Sequence, residues 1–120
     1  MKKTGKLLPE PLGPRISEPL FDPKGKQTTL RDGDEIGFTF DSQWCEVELD
    51  RPGPNGSEPI YLGTGRSRRK KTRINIAGKE DTEILAKLIA TAANLDVASY
   101  IEMPNPKGGV LIYKLLKRKK

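Results

Sequence analysis

Residues 63 to 73 read Gly-Thr-Gly-Arg-Ser-Arg-Arg-Lys-Lys-Thr-Arg, so six of eleven side chains are cationic and none is anionic. Six cations held this close repel one another unless salt or a polyanion screens them. A nucleic-acid backbone does so while releasing its own condensed counterions. Arg66, Arg68, Arg69 and Arg73 add a planar donor fork that matches a phosphate or a guanine edge at two points, while Lys70 and Lys71 add point charge. Gly63 and Gly65 lack the side chains that would keep a phosphate away from the backbone.

A second basic group, Lys114, Lys117, Arg118, Lys119 and Lys120, occupies residues 114–120. Tyr61 and Tyr113 each neighbour a basic group, and they are the rings expected to meet bases, because any base stacks on an exposed ring. If the last strand lies beside the one that starts near Lys71, both basic groups edge a single groove. These residues point to a small protein that grips the phosphate backbone of DNA or RNA. The structural alternative is a solvated, highly charged loop.

The net charge of +6 conceals a sharper pattern. Counted along the chain, residues 1–30 carry +3, 31–60 carry −6, 61–79 carry +7, 80–106 carry −4 and 107–120 carry +6. Segregated blocks of this kind create strong local fields. They also suit a second role, a protein-interaction or assembly module whose acidic and basic patches meet an acidic partner or a second copy of the chain.

Enzymatic chemistry finds little support. The chain has no histidine and a single cysteine, Cys45, which excludes Ser-His-Asp and Cys-His machinery, an intramolecular disulfide and the usual zinc sites. Asp32, Asp34, Glu35, Glu46, Glu48 and Asp50 could hold Mg²⁺ for phosphodiester cleavage, but their spacing completes no nuclease pattern, and acids along a strand more often keep a sheet face soluble. Gly63-Thr64-Gly65 fails the Walker spacing. We therefore expect a binding protein without a cofactor. Cys45 reads as a small buried hydrophobe.

The elements that position these groups follow from periodicity. Residues 1–26 hold five prolines and show no apolar period, which reads as an extended arm. Ile36, Phe38 and Phe40 alternate after an Asp32-Gly33-Asp34 turn signal. Cys45, Val47 and Leu49 alternate against Glu46, Glu48 and Asp50, predicting a hairpin with one acidic face. Gly37-Phe38-Thr39-Phe40 resembles part of the aromatic strand motif of RNA-recognition and cold-shock domains, which present rings to bases. The RNA-recognition fold places a helix ahead of that strand, and nothing upstream of Phe38 reads as one, so Phe38 and Phe40 are assigned to the core.

Residues 50–59, with three prolines, read as a loop, and Ile60 to Thr64 as a short strand. Residues 65–71 fall in a loop or hairpin tip that leads into a strand from Lys71 to Ala77. A helix is predicted from about Lys79, with Ile84, Leu85, Leu88, Ile89, Ala92 and Leu95 as its apolar face and Asn94 as its stop. Two strands separated by Pro-Asn-Pro-Lys-Gly-Gly follow.

The resulting fold class is α+β: a mostly antiparallel sheet of about six strands with one main helix packed on one face and an extended Pro-rich N-terminal arm. The expected organisation is an arm over 1–26, a single domain over 27–116 and a basic tail over 117–120. The longest apolar run, Val110 to Tyr113, is too short to span a bilayer, and no export signal precedes Pro9. Cytoplasmic location in a reducing compartment is the expectation.

Overall fold

The computed structural model describes residues 19–41, 44–63, 68–74, 78–104 and 108–118. Among these residues eight strands and one helix follow in the order β1 (Leu20–Phe21), β2 (Gln27–Thr28), β3 (Glu35–Phe40), β4 (Cys45–Gly53), β5 (Gly56–Leu62), β6 (Lys71–Ile74), α1 (Lys79–Ala92), β7 (Leu95–Met103) and β8 (Gly109–Lys117). Every strand pairing is antiparallel, and the order across the sheet is β2-β1-β5-β4-β3-β8-β7. The fold is therefore α+β, with α1 on one face of the sheet.

The centre of the sheet follows the alternation in the sequence. Ile36 and Phe38 of β3, Cys45, Val47 and Leu49 of β4, and Leu111, Tyr113 and Leu115 of β8 face inward and are buried. Ile60, Leu62 and Ile74 join them from β5 and β6, while Leu85, Ala86, Ile89 and Ala90 close the core from the helix. Full burial of each large aliphatic side chain contributes about 1.5–3 kcal/mol. Phe38 meets Tyr113 edge to face at 5.6 Å between ring centroids.

One edge of β4 is shared by two strands. Cys45 to Glu48 pair with β6, and Leu49 to Gly53 pair with β5. β5 then leaves β4, so that Tyr61 and Leu62 pair with Phe21 and Leu20 of β1. Leu20 and Phe21, inside the segment read as an arm, are thus strand residues of the sheet.

Residues 50–59 do not form the expected loop. Pro52 lies in β4 opposite Ser57, Pro59 lies in β5 opposite Asp50, and only Pro54 and Asn55 separate the two strands. Both prolines are tolerated because each has an unpaired side. β3 ends its pairing with β4 at Asp50, and β1 reaches β5 only at Tyr61 and Leu62.

The helix begins after Gly78, which is extended and offers no capping side chain, and Glu80 and Asp81 in the first turn complement the positive end of its dipole. Asn94 ends it in the left-handed conformation at φ +61, a position asparagine tolerates. Its buried side differs from the expected one. Thr82, Leu85, Ala86, Ile89 and Ala90 are buried, whereas Ile84 and Leu88 are 44% and 46% exposed. Ala86 and Ala90 allow α1 to sit close to the sheet, turning the larger pair toward solvent.

Candidate nucleic-acid interface

The basic residues of 68–73 diverge once they are placed on strands. In β6, Thr72 and Ile74 are buried, so Lys71 and Arg73 occupy the opposite face of the sheet, away from the helix. There they stand directly across from Glu48 and Glu46 of β4. The Arg73 guanidinium carbon lies 4.0 Å from the centroid of the Trp44 ring, a cation–π distance. Glu35 and Asp50 extend the acidic row, and Lys114 of β8 stands across from Glu35. Lys71, Arg73 and Lys114, which look unopposed along the chain, therefore each face a carboxylate across the strands.

Asp50 shows the effect of crowding these acids. Burial, then the Glu48 and Glu35 carboxylates, push it up to about 7, with Lys70 opposing. Asp32 and Asp34 belong elsewhere: Asp34 is buried against Arg51, and Asp32 accepts the Lys117 backbone N–H at 3.0 Å. Among the described residues no group of three or more His, Cys, Asp or Glu side chains is placed to hold a metal ion. Burial pushes the Cys45 thiol up to about 12, which leaves it a neutral core group.

Arg68 has a different environment. It is exposed, and its guanidinium carbon lies 5.3 Å from the centroid of the Tyr61 ring. Arg69 next to it is half-buried and fixed by reciprocal 2.8 Å backbone hydrogen bonds with Leu62. That bridge draws the basic segment back along β5 and brings Arg68 to the turn between β1 and β2. An ideal Cβ on Gly25 would lie 3.1 Å from an Arg68 guanidinium nitrogen. Asp22 shapes this turn by accepting the backbone N–H groups of Lys24 and Lys26 at 2.9 Å each, and Gly25 takes φ +86. The Lys26 and then the Lys24 hydrogen bonds hold the Asp22 carboxyl below its ordinary value.

Lys24 and Lys26 are exposed on either side of Gly25, so Arg68 reaches a turn that carries two exposed lysines. Lys70 is exposed two residues beyond Arg68. The two turn lysines were not among the residues singled out from the sequence. Their signal was available in Asp22-Pro23-Lys24-Gly25-Lys26, a turn pattern that fixes where the lysines project.

The remaining sequence-derived residues that the structure describes do not join this surface. Arg66 lies outside the described residues. β8 is separated from β6 by β3 and β4, so no common groove forms between them. At roughly 4.8 Å per strand spacing, the two basic groups begin about 14 Å apart. Arg118 pairs with Asp96 at 3.4 Å and reaches the Asn94 side chain, and Lys117 is exposed at the end of β8. Tyr113 is a core residue rather than a surface ring, at 4% exposure. Its hydroxyl lies 2.7 Å from the Thr82 oxygen. Thr82 spends its only proton on the Lys79 carbonyl, so Tyr113 is the donor in that contact.

Comparison with protein-family models, with curated protein sequences and with solved structures gives no match. Among the described residues no helix is long and apolar enough to cross a membrane.

Proposed function

We propose that this chain binds the phosphate backbone of a nucleic acid, DNA or RNA, through the surface formed by Lys24, Lys26 and Arg68, acting as a binding protein with no catalytic step. One observation carries the reading: Arg68 lies over the Tyr61 ring and reaches Gly25, whose chain neighbours Lys24 and Lys26 are both exposed. Stacking on the ring restricts the guanidinium while leaving it exposed, so less freedom is lost when it meets phosphate. Lys71 and Arg73, opposite carboxylates, contribute less than their number along the chain implies.

Fluorescence anisotropy with labelled single- and double-stranded DNA and RNA at several salt concentrations tests this. Three phosphate contacts give a slope of log affinity against log salt of about −2.7 on duplex DNA or about −2.1 on a single strand. Alanine at all three positions should flatten that slope. An unchanged slope and affinity in that variant would refute the proposal.

A further inference from the structure

Outside the basic surface the described residues carry three unusual features: the acids around Asp50, the exposed Ile84 and Leu88 of α1, and the outer strand β7. Only β7 combines unpaired backbone with exposed apolar side chains. It pairs with β8 along its length and lies at the end of the sheet, with no described strand on its other side. β2, at the opposite end, has only two residues, while β7 has nine. A long open edge presents a row of N–H and C=O groups that another strand can complete.

The usual protections are scarce here. No Lys, Arg or Pro occurs in Leu95–Met103, and the one irregularity, between Val97 and Ser99, leaves the register regular from Ser99 to Met103. Tyr100, Ile101 and Met103 in that stretch are 56%, 61% and 43% exposed. Ile101 and Met103 are paired with Ile112 and Val110 of β8, so the apolar surface continues inward from the edge.

We propose that β7 is a self-association edge. Two copies of the chain pair their β7 strands antiparallel about a two-fold axis near Ile101, joining their sheets into one. Charge favours a second copy as the occupant. Both acids of β7 are compensated within the chain, Asp96 by Arg118 and Glu102 by Lys79, so two such edges approach without net repulsion. Charge also selects the register. Centring on Glu102 would set two carboxylates directly opposite each other, which destabilises a strand pair, whereas centring on Ile101 opposes Ile101 to itself and sets each Glu102 across from a Tyr100. The chain's own residues 1–18 are a poorer second strand, since Pro9, Pro11 and Pro14 lack the N–H that a ladder requires.

Sedimentation of the full chain without nucleic acid, at about 0.15 M salt and over a wide range of protein concentration, tests the proposal alongside hydrogen exchange. The expected result is a reversible monomer–dimer equilibrium in which protection of the Ser99 to Met103 amides rises with concentration. Ile101→Lys and, separately, Met103→Lys should each raise the dimer Kd by about tenfold or more. Circular dichroism should show the fold retained, because both side chains already face solvent. Lys24→Ala with Arg68→Ala should leave the dimer intact, separating this edge from the nucleic-acid surface.

A monomer at every concentration overturns the proposal, as does a dimer insensitive to both lysine variants. Protection of the β7 amides that is independent of concentration also overturns it, because the edge would then be covered from within the chain. Loss of the dimer in the Lys24→Ala, Arg68→Ala variant would move the interface to the basic surface and overturn it as well.

Discussion

Arg51 holds Asp34 at two points, its Nε and Nη2 groups donating to the two carboxylate oxygens at 2.9 Å each. Arg51 also donates to the Thr28 hydroxyl at 3.1 Å and the Thr29 carbonyl at 2.7 Å, and Asp34 accepts the Arg31 backbone N–H at 2.8 Å. The pair ties the segment after β2 to β4, and with it the turn that carries Lys24 and Lys26. Asp34 is 1% exposed, so removing it strands a cation that has lost its counter-charge. Asp34→Ala is expected to lower stability by about 3–5 kcal/mol in urea unfolding. Arg51→Lys should recover only part of the wild-type stability, because an ammonium cannot form the fork.

The positions of Arg68 and Arg73 predict unequal roles in nucleic-acid binding. Arg68 stands with Lys24 and Lys26, whereas Arg73 lies over Trp44 and across from Glu46. Arg68→Ala should weaken binding about tenfold, equivalent to ~1.4 kcal/mol, and Arg73→Ala by no more than about twofold. Anisotropy titrations of the two variants on one labelled duplex provide the comparison. Equal losses would mean that the number of charges, rather than their placement, governs affinity.

Asp50 predicts an inverted dependence of stability on pH. Its folded value of about 7 lies above the ordinary 3.8, so the folded protein holds this proton more tightly than the unfolded chain. Stability should therefore fall as pH rises from about 4 to about 7, through the contribution of this group. Solvent screening at a half-buried site keeps the effect well below the full value for a buried acid. Urea midpoints measured across that window should decline for the wild type, and Asp50→Asn should flatten the decline and raise the midpoint at neutral pH. A midpoint that the substitution leaves unchanged at every pH would contradict this role.

Thr72 carries a cost that a substitution can remove. Its hydroxyl, on the buried face of β6, has no hydrogen-bond partner among the described residues. Valine keeps the branched shape and removes the desolvated oxygen, so Thr72→Val is expected to stabilise the fold by about 1 kcal/mol. Thermal or urea denaturation measures this directly, and a destabilised variant would mean that the hydroxyl has a partner in solution.

The sequence by itself determined the elements whose signal is local. The alternation of Ile36 and Phe38, and of Cys45, Val47 and Leu49, marked β3 and β4; the acidic start, apolar period and Asn94 stop marked α1; β-forming runs marked β7 and β8. Each signal arises from one element choosing between core and solvent, and that choice is written in consecutive residues.

Pairing across the sheet decided the rest. Pro52 and Pro59 became strand residues because no described strand pairs with them on one side, Tyr113 went inward to meet Phe38 and Thr82, and β8 settled with two strands between it and β6. The basic segment was legible as charge. Register then set Lys71 and Arg73 opposite acids, while the bridge from Arg69 to Leu62 carried Arg68 to Lys24 and Lys26. Composition states how many charges a chain bears, but Coulomb energy depends on the distances between them, and those are fixed only when distant strands come together.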